Sequence, residues 1–399
     1  MMTGEIGQID LGGFAEPLIY SAARSRPATG RPGSEQGTDP GNGIRECRIP
    51  EVNDVMEDRR RAESRSPHPS LQSVAGLQQH ANAWRHSVET ILVVGIDSVV
   101  GANLAAQLAD HYQVHGLSQG PRILIDGCDT ASVAFDAETP FDSIRQHTPD
   151  MVVYCGPAAH SAWELSTAAR IKPGNVDIAR SWADAAAQQG SRFTFISSDA
   201  VFTGPWMFHD EESLGICHSP EAAVIRKTEA VVRDVCPEAL IVRTNAFGWS
   251  PAGDQGGWAE SLIARLEANR LLDLDCIRHA TPILATDLGG IIQRAWSENL
   301  DGTYHIGGAE RVSPLQFAQR LADYFDLPWL SIRREETLSE KPEGFGAGET
   351  SLQTKQIRKA LCVAMPMLSE GLDRLKAQYV NGYRDSFRFA EQPYHERVA

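Results

Sequence analysis

The chain has 399 residues, a hydrophobic content of 42% and a formal charge of −15. That length suffices for one large α/β core or two smaller ones, and no stretch approaches the roughly 20 apolar residues of a membrane span. The acidic balance argues against nucleic acid, whose backbone needs clustered Lys and Arg against its phosphates. Cysteines at positions 47, 128, 155, 217, 236, 276 and 362 include no Cys-x-x-Cys pair. They suggest neither a disulfide framework nor a metal site, and a reducing cytoplasm fits. The first ten residues carry early acids and no basic region before an apolar run, unlike a secretory signal.

Residues 1–88 show little periodicity and many breakers, among them Pro27, Gly30, Pro32, Pro40 and Pro67. The pattern predicts a disordered N-terminal extension, in which Arg59, Arg60, Arg61 and Arg65 read as a solvated run rather than a docking site. Order begins at Ile91-Leu92-Val93-Val94, which turns at Gly95 into an amphipathic helix from Val99. This strand, turn and helix is the frame of a dinucleotide fingerprint, which asks for three glycines. Gly95 and Gly101 fill the outer places and Ser98 the middle one. The serine has two readings, a helix N-cap or a side chain in the space of the phosphates.

Further strands are predicted at Tyr112–Leu117, Ile123–Asp126, Asp150–Tyr154, Arg192–Ser197 and Ala239–Arg243, alternating with helical stretches. That alternation predicts a doubly wound parallel Rossmann-type sheet over residues 89–250. No acid lies between Asp110 and Asp126 to accept ribose hydroxyls, and Arg122 lies nearby, which tilts the cofactor from NAD to NADP. Arg122 reads equally well as an exposed loop cation. Residues 251–378 contain amphipathic stretches at Pro314–Phe325, Ser351–Leu361 and Leu368–Ala377 and are expected to form a smaller α/β part interleaved with the sheet. The tail at 379–399 shows no clear periodicity.

Several blocks then carry a resemblance. They are the glycine turn, Thr148-Pro149-Asp150-Met151-Val152-Val153, Asn175-Val176, Phe195 to Gly204 with its Ser-Ser-Asp-Ala-Val-Phe core, Leu240 to Gly248, Thr281-Pro282 with Asp287-Leu288, and Gly302 to Gly308. Together they resemble the extended short-chain dehydrogenases, specifically the dTDP-4-dehydrorhamnose reductase family, over roughly residues 90–378. The resemblance implies hydride transfer from a nicotinamide to a ketone on a nucleotide-linked sugar. A Tyr of lowered pKa beside a Lys gives the proton while a Ser or Thr hydroxyl holds the carbonyl. Ser198 matches the hydroxyl and Lys227 the lysine, which would also contact the cofactor ribose. Ala223 stands where the tyrosine is expected, and no tyrosine occurs between Tyr154 and Tyr304. Asn245 and His279 fall where substrate would run.

Bland readings stand beside these. Lys227 also fits a helix-surface lysine, Ser198 a cap after a buried strand, and Asp199 a loop-stabilising acceptor, while Arg243 and Asp287 read as structural. His209, Cys217 and His218 lie on the loop where a surrogate acid could sit, and each reads first as a loop residue. Three functions follow. The leading one is a pseudoenzyme that binds a nucleotide or nucleotide sugar. The others are an active NADPH-dependent reductase of a 4-keto sugar and a regulatory subunit like that of methionine adenosyltransferase. A homodimer or a complex with a partner enzyme fits these readings.

Overall fold

A computed structural model describes residues 89–389 apart from 135, 137, 165, 252–255 and 335–343. The predicted extension over 1–88, its arginine run and the last ten residues lie outside the described residues.

The apolar run forms β1 (Thr90–Val94), and Ser98 caps α1 (Val99–Leu108). Then come β2 (Gln113–Ser118), β3 (Ile123–Ile125), β4 (Asp129–Ser132), α2 (Thr139–His147) and β5 (Met151–Tyr154). Next are α3 (Asn175–Gln189), β6 (Arg192–Ser198), α4 (Pro220–Val235), β7 (Leu240–Thr244) and β8 (Ala246–Phe247). The remainder is α5 (Trp258–Glu267), β9 (Leu272–Leu274), β10 (Ile283–Leu284), α6 (Ala285–Ser297), β11 (Gly302–His305), α7 (Pro314–Phe325), β12 (Ile332–Arg334), α8 (Lys355–Leu361), α9 (Leu368–Val380) and β13 (Phe387–Phe389).

Seven strands make one parallel sheet in the order β11-β7-β6-β5-β1-β2-β4. A parallel sheet is covered on both faces, so its central strands, β1 and β5 above all, are almost continuously apolar. Ile91 and Val93 pack on one side with Leu104, Leu288 and Ile292 of α1 and α6. Leu92 and Val94 pack on the other with Trp182 and Ala186 of α3 and Ile225 of α4. The expected doubly wound α/β fold is what forms, and its strand order reverses between β5 and β1, where such sheets place ligands at the strands' carboxyl ends.

Two expectations need correction. Ile123–Ile125 is not the third strand of the sheet; it pairs antiparallel with β13, and β4 takes the sheet edge. The burial of β3 explains this, since Ile123 and Ile125 point inward and Leu124 outward, a one-sided pattern. The polar β4 needs no apolar run because an edge strand is only half covered. The tail beyond Val380 also contributes structure, because β13 supplies the partner of β3. In the smaller C-terminal part, β8 pairs with β10 and β9 with β12, beside α5 and α7.

Candidate functional site

Gly95 ends β1 at φ +90°, and a Cβ there would fall 2.0 Å from the Cys155 carbonyl oxygen. A Cβ on Gly101 would fall 2.2 Å from the Gly95 carbonyl oxygen. Both glycines are therefore demanded by the protein's own backbone contacts. Ser98, 1% exposed, donates from Oγ to the Gly95 carbonyl at 2.8 Å and accepts the Gly101 N–H at 3.0 Å. Its hydroxyl closes the turn and caps α1. Beside it, a cavity of about 360 Å³ opens at the switch point, lined by Asp97, Gln119, Cys155, His160, Arg170 and Lys172, among others. One carboxylate oxygen of Asp97, Oδ1, is buried there without a hydrogen-bond partner among the described residues. Arg122 is exposed and does not line this cavity.

Among the described residues, no hydrogen bond joins Ser198 to Lys227. Ser198 is buried at the end of β6, where Oγ accepts the Ala200 N–H at 3.1 Å. Helix α4 turns Ala222, Ile225, Thr228, Glu229 and Val232 inward, whereas Ala223 and Lys227 are exposed. Two residues of α4 reach the serine block: Glu229, whose Oε1 accepts from Ser197 Oγ at 2.6 Å, and Arg226, whose Nη1 donates to the Val201 carbonyl at 3.4 Å. Glu229 also pairs with Arg243 at 2.7 Å.

Tyr154, His209 and Cys217 are each engaged elsewhere. Tyr154 is buried and stacked on Phe195 with ring centroids 5.9 Å apart, and burial pushes its phenol up. That is opposite to the shift a proton-donating tyrosine needs. His209 is buried, with Nδ1 2.8 Å from Ser213 Oγ and Nε2 3.2 Å from the Glu349 carbonyl; burial lowers its pKa. Cys217 is buried and donates to the Gly344 carbonyl, and His218 is exposed.

A buried network does lie at the carboxyl ends of β6 and β7. Asp199 Oδ2 accepts from Asn245 Nδ2 at 3.0 Å and from Thr350 Oγ1 at 2.6 Å, and Ser161 Oγ donates to Asn245 Oδ1 at 2.7 Å. Asp199 thus accepts mainly from side chains, where the sequence suggests loop amides. The Thr350 hydroxyl also lies 3.1 Å from the His279 carbonyl, while His279 Nδ1 lies 2.7 Å from the Ile277 carbonyl. When Asp199 is protonated it can donate to Thr350, which then donates to His279. Burial pushes the Asp199 carboxyl up to about 6, against the lowering effect of Thr350, Asn245 and Ser198. A folded-state value above the unfolded one means the stabilisation is complete below about pH 4 and is lost as pH rises through about 6. Parent protein is therefore expected to lose stability relative to Asp199→Asn between those values, as read by urea denaturation at each end of the window.

A second cavity, of about 430 Å³, lies between the 163–170 segment and the smaller part. Trp163, Arg170, Trp258, Arg265 and Arg278 line it. Trp163 and Trp258 meet edge to face at 4.9 Å. Arg278 is tied to Asp275 at 2.8 Å, but Arg170 and Arg265 have no carboxylate partner among the described residues. Arg170 lines both cavities. Nothing in local sequence marks this pocket, because its residues come from separate stretches, 163–170 and 256–278, with Pro314.

Residues 89–380 match the family profile described as RmlD substrate binding domain. The chain belongs to that family. Among solved structures, it is similar to dTDP-4-dehydrorhamnose reductase from Bacillus anthracis in complex with NADP, at 19% identity, 73% of this chain, 99% of that one and a TM-score of 0.59. It is also similar to the Bordetella bronchiseptica enzyme WbmG in complex with NAD, at 15% identity, 77% of this chain, 99% of that one and a TM-score of 0.60. A hypothetical dTDP-4-dehydrorhamnose reductase from Sulfolobus tokodaii matches at 19% identity, 71% of this chain, 98% of that one and a TM-score of 0.58. No curated protein sequence matches. These likenesses establish the shared reductase and dehydratase fold.

The fold thus implies a nicotinamide dinucleotide, and the turn residues test it. A diphosphate needs close approach to the turn backbone and free amides at the helix start. Here the Ser98 hydroxyl already holds the Gly101 amide, and the Asp97 carboxylate lines the same cleft. Those two residues do not fit the group. Among the described residues no helix is long and apolar enough to cross a membrane, and no cluster suits a metal ion.

Proposed function

We propose that this family member binds a nucleoside diphosphate or nucleotide sugar without reducing it. The observation that carries the reading is the second cavity, whose lining combines Trp163 with Arg170 and Arg265, two guanidinium groups that have no carboxylate partner among the described residues. An aromatic ring suits a base, and arginines without a carboxylate partner suit a diphosphate bidentately. Its volume lies within the range of small-ligand sites. The loss of reduction is supported by Ala223 at the tyrosine position and by the burial of Tyr154.

Calorimetric titration with UDP and dTDP, free and sugar-linked, tests this. Saturable binding is expected, weakened about tenfold by Arg170→Ala or Arg265→Ala, the loss of about 1.4 kcal/mol in each case. Absence of binding by every diphosphate, or no loss in either variant, would remove the assignment. A partner-binding role is the second reading. It is favoured by the run Trp206-Met207-Phe208, in which Trp206 is 62% exposed while the Phe208 N–H is pinned to Ser351 Oγ at 2.8 Å. A stoichiometric partner in native mass measurement would favour that role.

A further inference from the structure

We infer that the cleft at the Gly95 turn rejects nicotinamide dinucleotides, so that whatever occupies the second cavity binds without a cofactor beside it. The inference relies on the proposed function only in that last clause.

Three features of the cleft point the same way. First, Ser98 is buried with both hydrogen-bonding capacities of its hydroxyl in use, one on the Gly95 carbonyl and one on the Gly101 amide. A phosphate oxygen reaching that amide must displace the cap and find room where Cβ and Oγ stand. Second, Asp97 brings a carboxylate to the same wall, with Oδ1 buried and unpartnered among the described residues. A diphosphate placed there meets a like charge whose hydration is already reduced, which raises the repulsion above its value in water. Third, β2 ends in Ser118, whose Oγ donates to the Pro121 carbonyl at 3.1 Å, and Gln119 follows it in the cavity wall. Neither an acid for NAD ribose hydroxyls nor a cation for the NADP phosphate lines the cavity from β2.

The cations that do reach this cavity, Arg170 and Lys172, both exposed, come from the segment before α3 rather than from the turn. Arg170 is shared with the second cavity, so its charge is placed where a ligand of that cavity can use it. Variants at Asp97 and Ser98 leave the shared Arg170 in place, so the two sites are separable by experiment. Failure of diphosphates to bind the second cavity would leave the dinucleotide result untouched, and the reverse also holds.

The test is a titration with NADPH followed by its nicotinamide fluorescence, on parent protein, Asp97→Asn, Ser98→Gly and the double variant. Parent protein is expected to show no saturation up to about 1 mM, and the double variant to gain at least about tenfold in affinity. Saturation of the parent at micromolar NADPH would overturn the inference. So would a folded double variant, checked by circular dichroism, that binds no better than the parent. Should the loss of the cap prevent folding, Asp97→Asn keeps Ser98 in place and must by itself gain affinity; no gain there would equally overturn it.

Discussion

Replacing Glu229 by alanine is expected to destabilise the protein by about 3–5 kcal/mol, the usual consequence of stripping one partner from a buried ion pair. Glu229 accepts from Arg243 Nη2 at 2.7 Å and Nε at 2.9 Å, and from Ser197 Oγ at 2.6 Å, so one deletion orphans a charge and a hydroxyl. Arg243 cannot escape to water, since it is buried in β7 with its guanidinium over the Phe202 ring at 5.1 Å from the centroid. The pair need not be favourable in itself, because desolvating both charges offsets much of their attraction. Joint replacement, Glu229→Leu with Arg243→Met, is therefore expected to cost much less than either single deletion. Urea denaturation reads both, and a single-variant loss under about 1 kcal/mol would contradict the account.

Gly95→Ala is expected to cost about 3 kcal/mol or more, summing strain at positive φ and overpacking. The new methyl group would lie 2.0 Å from the Cys155 carbonyl oxygen and 2.8 Å from its carbon, both backbone atoms that cannot rotate aside. Relief requires β1 and β5 to separate at the point where the first cavity opens, and the Gly95 N–H holds the Leu117 carbonyl at 2.8 Å. The loss should therefore appear as lower global stability in urea. A change below about 1 kcal/mol would mean that the turn tolerates a side chain.

Sequence made the first half of the fold legible because its signals are local. Ile91 to Val94 is an uninterrupted apolar run, Gly95 a breaker and Ser98 a cap, each acting within a few residues. The edge strand β4 was not legible, since Asp129–Ser132 carries no apolar run and is held by register with β2. Helix α4 shows the limit most clearly. Ala223 with Lys227 and Ile225 with Glu229 are both pairs one turn apart, so spacing alone allows either to face the sheet. Arg243, reaching from β7, decides for Glu229. Trp163, Arg170 and Arg265 carry no local signal, because only tertiary packing brings them to one cavity. Asp97 carries no local signal beside Ser98, and only the fold sets its side chain in the cavity wall.

The most direct measurement follows NADPH consumption with 4-keto nucleotide sugars at concentrations where calorimetry shows the second cavity filled. The account predicts a filled site and no oxidation above the protein-free rate, in parent protein and in Ala223→Tyr alike, because position 223 faces solvent. Turnover of the parent at about 1 per second or faster, a rate typical of working enzymes, would contradict it.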